Sequence, residues 1–126
     1  MEHVYFSDGN TKRISWVVKT GDTVIEEERV HTDIYLDKVS DEQSKYIALH
    51  AGIFWSIGRF IIKNEDTVKI KLDSKSMFEH LAKERQNLNT FIQVRTRFIK
   101  QLLEQRKLKI EYQLIDSKDN LASKLL

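Results

Sequence analysis

Two aspartates stand at strand positions where a carboxylate is a poor β-former. Asp8 follows the apolar start of VYFSDGN (residues 4–10), and Asp73 closes the alternating segment TVKIKLDS (67–74). Asp8-Gly9 alone reads as a hairpin turn. Paired with Asp73 at a second strand end, it reads as a carboxylate held on rigid backbone for use. Asp73 also suits the cap of a helix starting near Ser76. Other chemistries find no residues. The chain has no cysteine, which removes disulfides, thiolate zinc sites and cysteine nucleophiles. The histidines, His3, His31, His50 and His80, include no pair at the i, i+4 spacing of a helical metal site.

Positioning two carboxylates requires a folded scaffold, and the composition supplies one. With 126 residues, 40% hydrophobic and 10% aromatic, the chain reads as a single globular domain over 1–126 with a real core. A net charge of +2 does not announce a nucleic-acid binder, so any basic surface must come from uneven placement of the 21 Lys and Arg residues. The start MEHVYF lacks a basic segment followed by an apolar one, and no apolar run approaches membrane-spanning length. The expectation is a soluble, cytoplasmic protein with no membrane partner. The absence of proline and the presence of only four glycines argue against linkers and repeats.

Along the chain, 3–9 reads as a strand with Val4, Phe6 and Asp8 on one face and Tyr5 and Ser7 on the other. RISWVVKT (13–20) and TVIEEERVH (23–31), separated by Gly21-Asp22, complete an antiparallel meander. The period then changes. Ser40 and Gln43 fit a capping box, and Leu49, Ile53, Phe54, Ile57 and Phe60 recur at helical spacing, which predicts a helix over 41–62. Gly52 in its middle costs about 1 kcal/mol against alanine, a cost that close packing of helix on sheet would explain. The segment 67–74 is the fourth strand. Residues 76–85 form a short helix, and 90–107 a longer one with Phe91, Ile92, Val94, Arg95, Phe98, Ile99, Leu102 and Leu103 in its buried stripe. KLKIEYQLI (107–115) is the fifth strand, and DNLASKLL (119–126) a last helical turn capped by Asp119. Trp16 and Trp55 read as core aromatics. Helices between the third, fourth and fifth strands make crossovers that set the later strands parallel to the first.

This order, with Asp8-Gly9 in strand one and Asp73-Ser74 ending strand four, resembles the type-1 ribonuclease H family over nearly the whole chain. The family's strand-one D-G and strand-four D-S motifs are matched. Its long-helix motif A-E-Y-x-A-L-x-x-G-L is met by S-K-Y-I-A-L-H-A-G-I (44–53), and its terminal N-x-x-A-D-x-L-A by D-N-L-A-S-K-L-L (119–126). The resemblance implies an α/β fold, a five-stranded mixed sheet in the order 3-2-1-4-5 flanked by helices. It also implies two-metal hydrolysis of RNA in RNA–DNA hybrids, with four carboxylates holding Mg²⁺ or Mn²⁺. Hard cations demand such oxygen ligands.

Laid onto this chain, the resemblance leaves Asp8 and Asp73 as catalytic and metal-binding carboxylates. Lys45 stands at the helix carboxylate's position and Ser123 at the last one's. A lysine there would pair with both aspartates and take the metal's space. The remaining site carries about one net negative charge against about four for the full set, so its hold on hard cations is far weaker. Glu42, three residues before Lys45, and Asp119 or Asp116 are the candidate substitutes. No histidine stands between Asp116 and Asn120 to shuttle protons. Arg95, Arg97 and Lys100 are candidate substrate-binding residues; a charged helix face is otherwise simply solvated.

Three functions follow. The first is a degenerate ribonuclease H-like domain, a pseudoenzyme that binds RNA–DNA hybrid or another duplex. The second is an active Mg²⁺- or Mn²⁺-dependent nuclease with substitute ligands. The third is a protein-interaction module on the same fold.

Overall fold

The computed structural model describes residues 1–126. The β-branched, aromatic N-terminal third forms β1 (Glu2–Gly9), β2 (Arg13–Thr20) and β3 (Thr23–Val30). The two-residue loop Gly21-Asp22 joins β2 to β3, with Gly21 at φ +57°, a conformation side-chain-bearing residues disfavour and hairpin loops need. Then follow α1 (Asp41–Gly58), β4 (Thr67–Leu72), α2 (Lys75–Ala82), α3 (Thr90–Gln105) and β5 (Lys109–Leu114). The strands make one sheet in the order β3-β2-β1-β4-β5. β1 pairs antiparallel with β2 and parallel with β4, and β5 runs parallel to β4. The mixed sheet and its strand order agree with the expectation.

The helices cover one face, where Tyr5, Trp16, Ile70, Leu49, Ile53 and Ile99 are core. On the other face Phe6 and Val17 pack under Ala122 of the C-terminal segment, and Ser15 Oγ donates to the Ala122 carbonyl at 2.7 Å. Two glycines set how closely α1 approaches the sheet. A Cβ at Gly52 would lie 1.9 Å from Tyr5 Oη and 2.7 Å from Trp16 Cγ, and one at Gly9 would lie 2.3 Å from Ser44 Oγ. Gly52 is thus the price of helix-on-sheet contact. Trp16 is buried as expected, and Trp55 packs on it at 5.8 Å between ring centres. No helix is long and apolar enough to cross a membrane.

Several expectations need correction. The Ser40–Gln43 capping box forms, but α1 ends at Gly58, because Phe60 turns to φ +61° and its amide caps Ile57. Phe54 and Phe60 are exposed, as are Val94 and Phe98 on α3. The cap of α2 is Ser74, whose Oγ accepts from the Met77 amide, not Asp73. The terminal segment is no helix over 119–126. It makes two short 3-10 turns, Ser117–Asp119 and Ser123–Leu125, and Asp119 caps neither through its side chain.

Candidate functional site

The register of the central strands brings the two aspartates together. Phe6 lies opposite Lys71 in the parallel β1–β4 ladder, so two residues further on Asp8 falls beside Asp73. Gly9, lacking a side chain, lets Ser44 of α1 settle onto the end of β1. His31 fixes that contact from the loop after β3, its Nε2 lying 2.8 Å from Ser44 Oγ and 3.1 Å from the Asn10 carbonyl. Burial holds this imidazole below its ordinary pKa, against the pull of the Asn10 carbonyl.

Lys45, the next residue of α1, reaches both carboxylates. Its Nζ donates to Asp8 Oδ1 at 2.6 Å and to Asp73 Oδ1 at 3.1 Å. Further donors engage both carboxylates. Ser123 Oγ donates to Asp8 Oδ2, the Gly9 amide donates to Asp8 Oδ1 at 2.8 Å, and Asn120 Nδ2 donates to Asp73 Oδ2 at 3.0 Å. The side chains of Asp8 and Asp73 are only 10% and 7% exposed, so these bonds replace most of their hydration. Burial disfavours the Lys45 ammonium, yet the hydrogen bond and charge of Asp8, then those of Asp73, outweigh it and raise its pKa. The group stays charged throughout the neutral range.

This donor set does not fit a pair of divalent cations. Mg²⁺ needs hard oxygen ligands around a position it can occupy, and here an ammonium already stands in the space between the two carboxylates, bonded to both. No three His, Asp or Glu side chains converge on a point that would hold a metal ion. Glu42 is turned elsewhere, accepting from Ser76 Oγ at 2.8 Å and from Ser74 Oγ at 3.2 Å. Asp116 and Asp119 line an open pocket of about 550 Å³ with Asp73 and Lys75, but neither bonds to Lys45 or Asp73.

The basic residues of α3 sit in two settings. Arg95 lies over the rings of Tyr35 and Phe91. Arg97 and Lys100 are exposed, and Lys100 is near enough to His80 that its charge, after burial, helps hold that imidazole below its ordinary pKa. Sequence reasoning missed Asn120, which is buried and also donates to the Ser7 carbonyl at 3.0 Å. The available signal was its place three residues before Ser123, in the same short unit.

No family model matches the sequence, and comparison with curated proteins returns no match. Solved structures do match. The N-terminal RNase H domain of a Mycobacterium tuberculosis protein superposes with a TM-score of 0.78 at 19% identity, over 98% of this chain and 89% of that one. RNase H1 from Halobacterium salinarum gives 0.76 at 14% identity, over 98% and 92%. LC11-RNase H1 in complex with an RNA/DNA hybrid gives 0.68 at 14% identity, over 98% and 91%. At such identities the likeness is one of architecture, and with its 3-2-1-4-5 sheet the chain has the ribonuclease H fold.

Proposed function

We propose that this domain binds duplex nucleic acid, RNA–DNA hybrid foremost, and does not cleave it. The observation that carries the reading is the Lys45 ammonium seated between Asp8 and Asp73. Two-metal hydrolysis activates a water and stabilises the leaving oxygen with cations held by carboxylates. Here those carboxylates hold a cation with no vacant coordination position, so neither task is performed. The ammonium has a second consequence. It offsets much of the negative charge that two bare carboxylates would present to an approaching phosphodiester. Exposed Lys75, Arg97 and Lys100, none in an ion pair, are available to backbone phosphates, and 2′-hydroxyls offer further contacts. The structural neighbour solved with an RNA/DNA hybrid supports this choice of ligand.

The test is an end-labelled hybrid incubated with the protein in Mg²⁺ and then Mn²⁺, beside Asp8→Asn, together with binding measured across a salt series. The expected result is no cleavage and an affinity that falls steeply with salt. Cleavage abolished in Asp8→Asn overturns the reading and means that Asp116, Asp119 or Glu42 completes a site. Neither cleavage nor binding overturns the nucleic-acid half and leaves a protein-interaction role. Lys45→Glu combined with Ser123→Asp restores four carboxylates, and its Tm is expected to rise with added Mn²⁺ where the Tm of the unsubstituted protein does not.

A further inference from the structure

A second cation, Arg95, is held quite differently. Its guanidinium lies 5.6 Å from the Tyr35 ring centre and 5.4 Å from that of Phe91. Nη2 donates to Tyr35 Oη at 2.6 Å, and Nη1 donates to His50 Nδ1 at 3.2 Å. Accepting at Nδ1 makes His50 neutral, in keeping with a pKa lowered by burial and then by the Arg95 charge. Both partners of the guanidinium are therefore uncharged. None of the ion pairs in the molecule includes Arg95. A half-buried arginine without a carboxylate, its planar fork fixed by two rings, is preorganised for an anion.

The surroundings define what that anion must carry. Arg95 sits in a pocket of about 590 Å³ walled by Tyr35, His50, Phe91, Val94 and Phe98, a volume within the usual range for small ligands. Phe98 is 50% and Val94 39% exposed, and His50 stacks on Phe98 with 4° between the planes. A second depression adjoins it across Arg95 and His50, reaching exposed Phe54. These walls reward an apolar body. The single formal charge matches a monoanion; a phosphate dianion or a nucleic-acid backbone would want several cations.

We propose that this pocket between α1, α3 and the loop bearing Tyr35 is a binding site for a carboxylate carried on an aromatic or branched aliphatic body, with Arg95 as the anion anchor. The site is separate from the Asp8–Lys45–Asp73 cluster and does not depend on the function proposed for it.

The experiment is a titration of the ¹⁵N-labelled protein with phenylacetate, 2-phenylethanol and inorganic phosphate, following backbone amides by NMR. Phenylacetate is expected to give saturable shifts at His50, Phe91, Val94, Arg95 and Phe98. Binding is expected to be weaker by about tenfold or more for 2-phenylethanol, and by a similar factor in Arg95→Gln, because a charge-assisted hydrogen bond is lost. Equal binding of the acid and the alcohol overturns the anion anchor. Phosphate binding as tightly as phenylacetate overturns the apolar requirement, and absence of saturation overturns the site. Since these comparisons use the unsubstituted protein, the proposal stays testable even if Arg95→Gln folds poorly. Two blocked tripeptides, acetyl-Leu-Glu-Phe-amide and acetyl-Leu-Gln-Phe-amide, separate the sources. Tighter binding of the Glu peptide than of phenylacetate assigns the carboxylate to a polypeptide, and the reverse order assigns it to a small acid. A Gln peptide binding as well as the Glu peptide counts against the anchor.

Discussion

Two half-buried cations on two packed helices have opposite fates. Lys45 of α1 meets two carboxylates, whose remaining oxygens are taken by Ser123 and Asn120. Arg95 of α3 meets two aromatic rings, a phenol and a neutral imidazole. The first charge is neutralised inside the molecule, and its cluster is closed in the sense that every group in it has a partner within the chain. The second is oriented but unneutralised, and its pocket is open. Burial alone therefore does not identify a binding site in this fold. What separates the two regions is whether the chain supplies the counter-ion.

The largest effect should come from removing the cation from the closed cluster. Lys45→Met leaves Asp8 and Asp73 side by side, nearly buried, with no positive charge between them. Breaking a buried pair in this way typically costs about 3–5 kcal/mol, read as a fall in the urea midpoint at pH 7. A loss below about 1 kcal/mol would mean the cluster is as solvated as a surface pair, and the comparison would collapse. The same cluster predicts an alkaline limb. The Lys45 pKa is raised above its ordinary value of 10.5, so its contribution is complete below that pH and disappears as pH climbs through the folded-state value. The stability gap between the unsubstituted protein and Lys45→Met should thus stay constant from neutral pH to about 10 and narrow above it. A gap that closes below pH 9 would contradict the geometry. Ser123→Ala should cost less, about 1–2 kcal/mol, because it removes one hydrogen bond to a charged group at a partly solvated position.

How much of this was legible in the sequence differs between the two regions for a physical reason. Asp8 and Asp73 could be placed together because the resemblance supplied the pairing of strand one with strand four, to which periodicity alone contributed only the two strands. Lys45 could be placed beside them because the resemblance set the long helix against those strands, and the spacing of Tyr46, Ala48, Leu49 and Gly52, all four buried, held the alignment in register. The Arg95 cage was not legible. Tyr35 lies 60 residues earlier in the chain, in a turn with no periodic signal. Helical spacing also says which residues share a face, not whether another element covers that face. That is why Phe54, Val94 and Phe98 were expected in the core and are exposed. The end of the chain misled for another reason. DNLASKLL is too short for periodicity to separate an α-helix from successive 3-10 turns, and those turns bring Asn120 and Ser123 to the cluster.

The smallest effect belongs to the open region, and it sharpens the contrast. Arg95→Leu removes a cation that no carboxylate of the chain depends on, so it strands no buried charge. It forfeits contacts with Tyr35 and Phe91 worth about 0.5–1 kcal/mol each at partly exposed sites. It also forfeits two hydrogen bonds, whose partners, Tyr35 Oη and His50 Nδ1, face the open pocket and regain water. Leucine returns part of this by covering the same rings. The net change in stability should be within about 1 kcal/mol, several-fold below that of Lys45→Met, with both measured in the same urea titration. A loss as large as that of Lys45→Met would show Arg95 to be a structural strut whose neutral partners cannot be satisfied without it. A small loss, joined to abolished phenylacetate binding, is the signature of a residue whose charge is kept for a ligand.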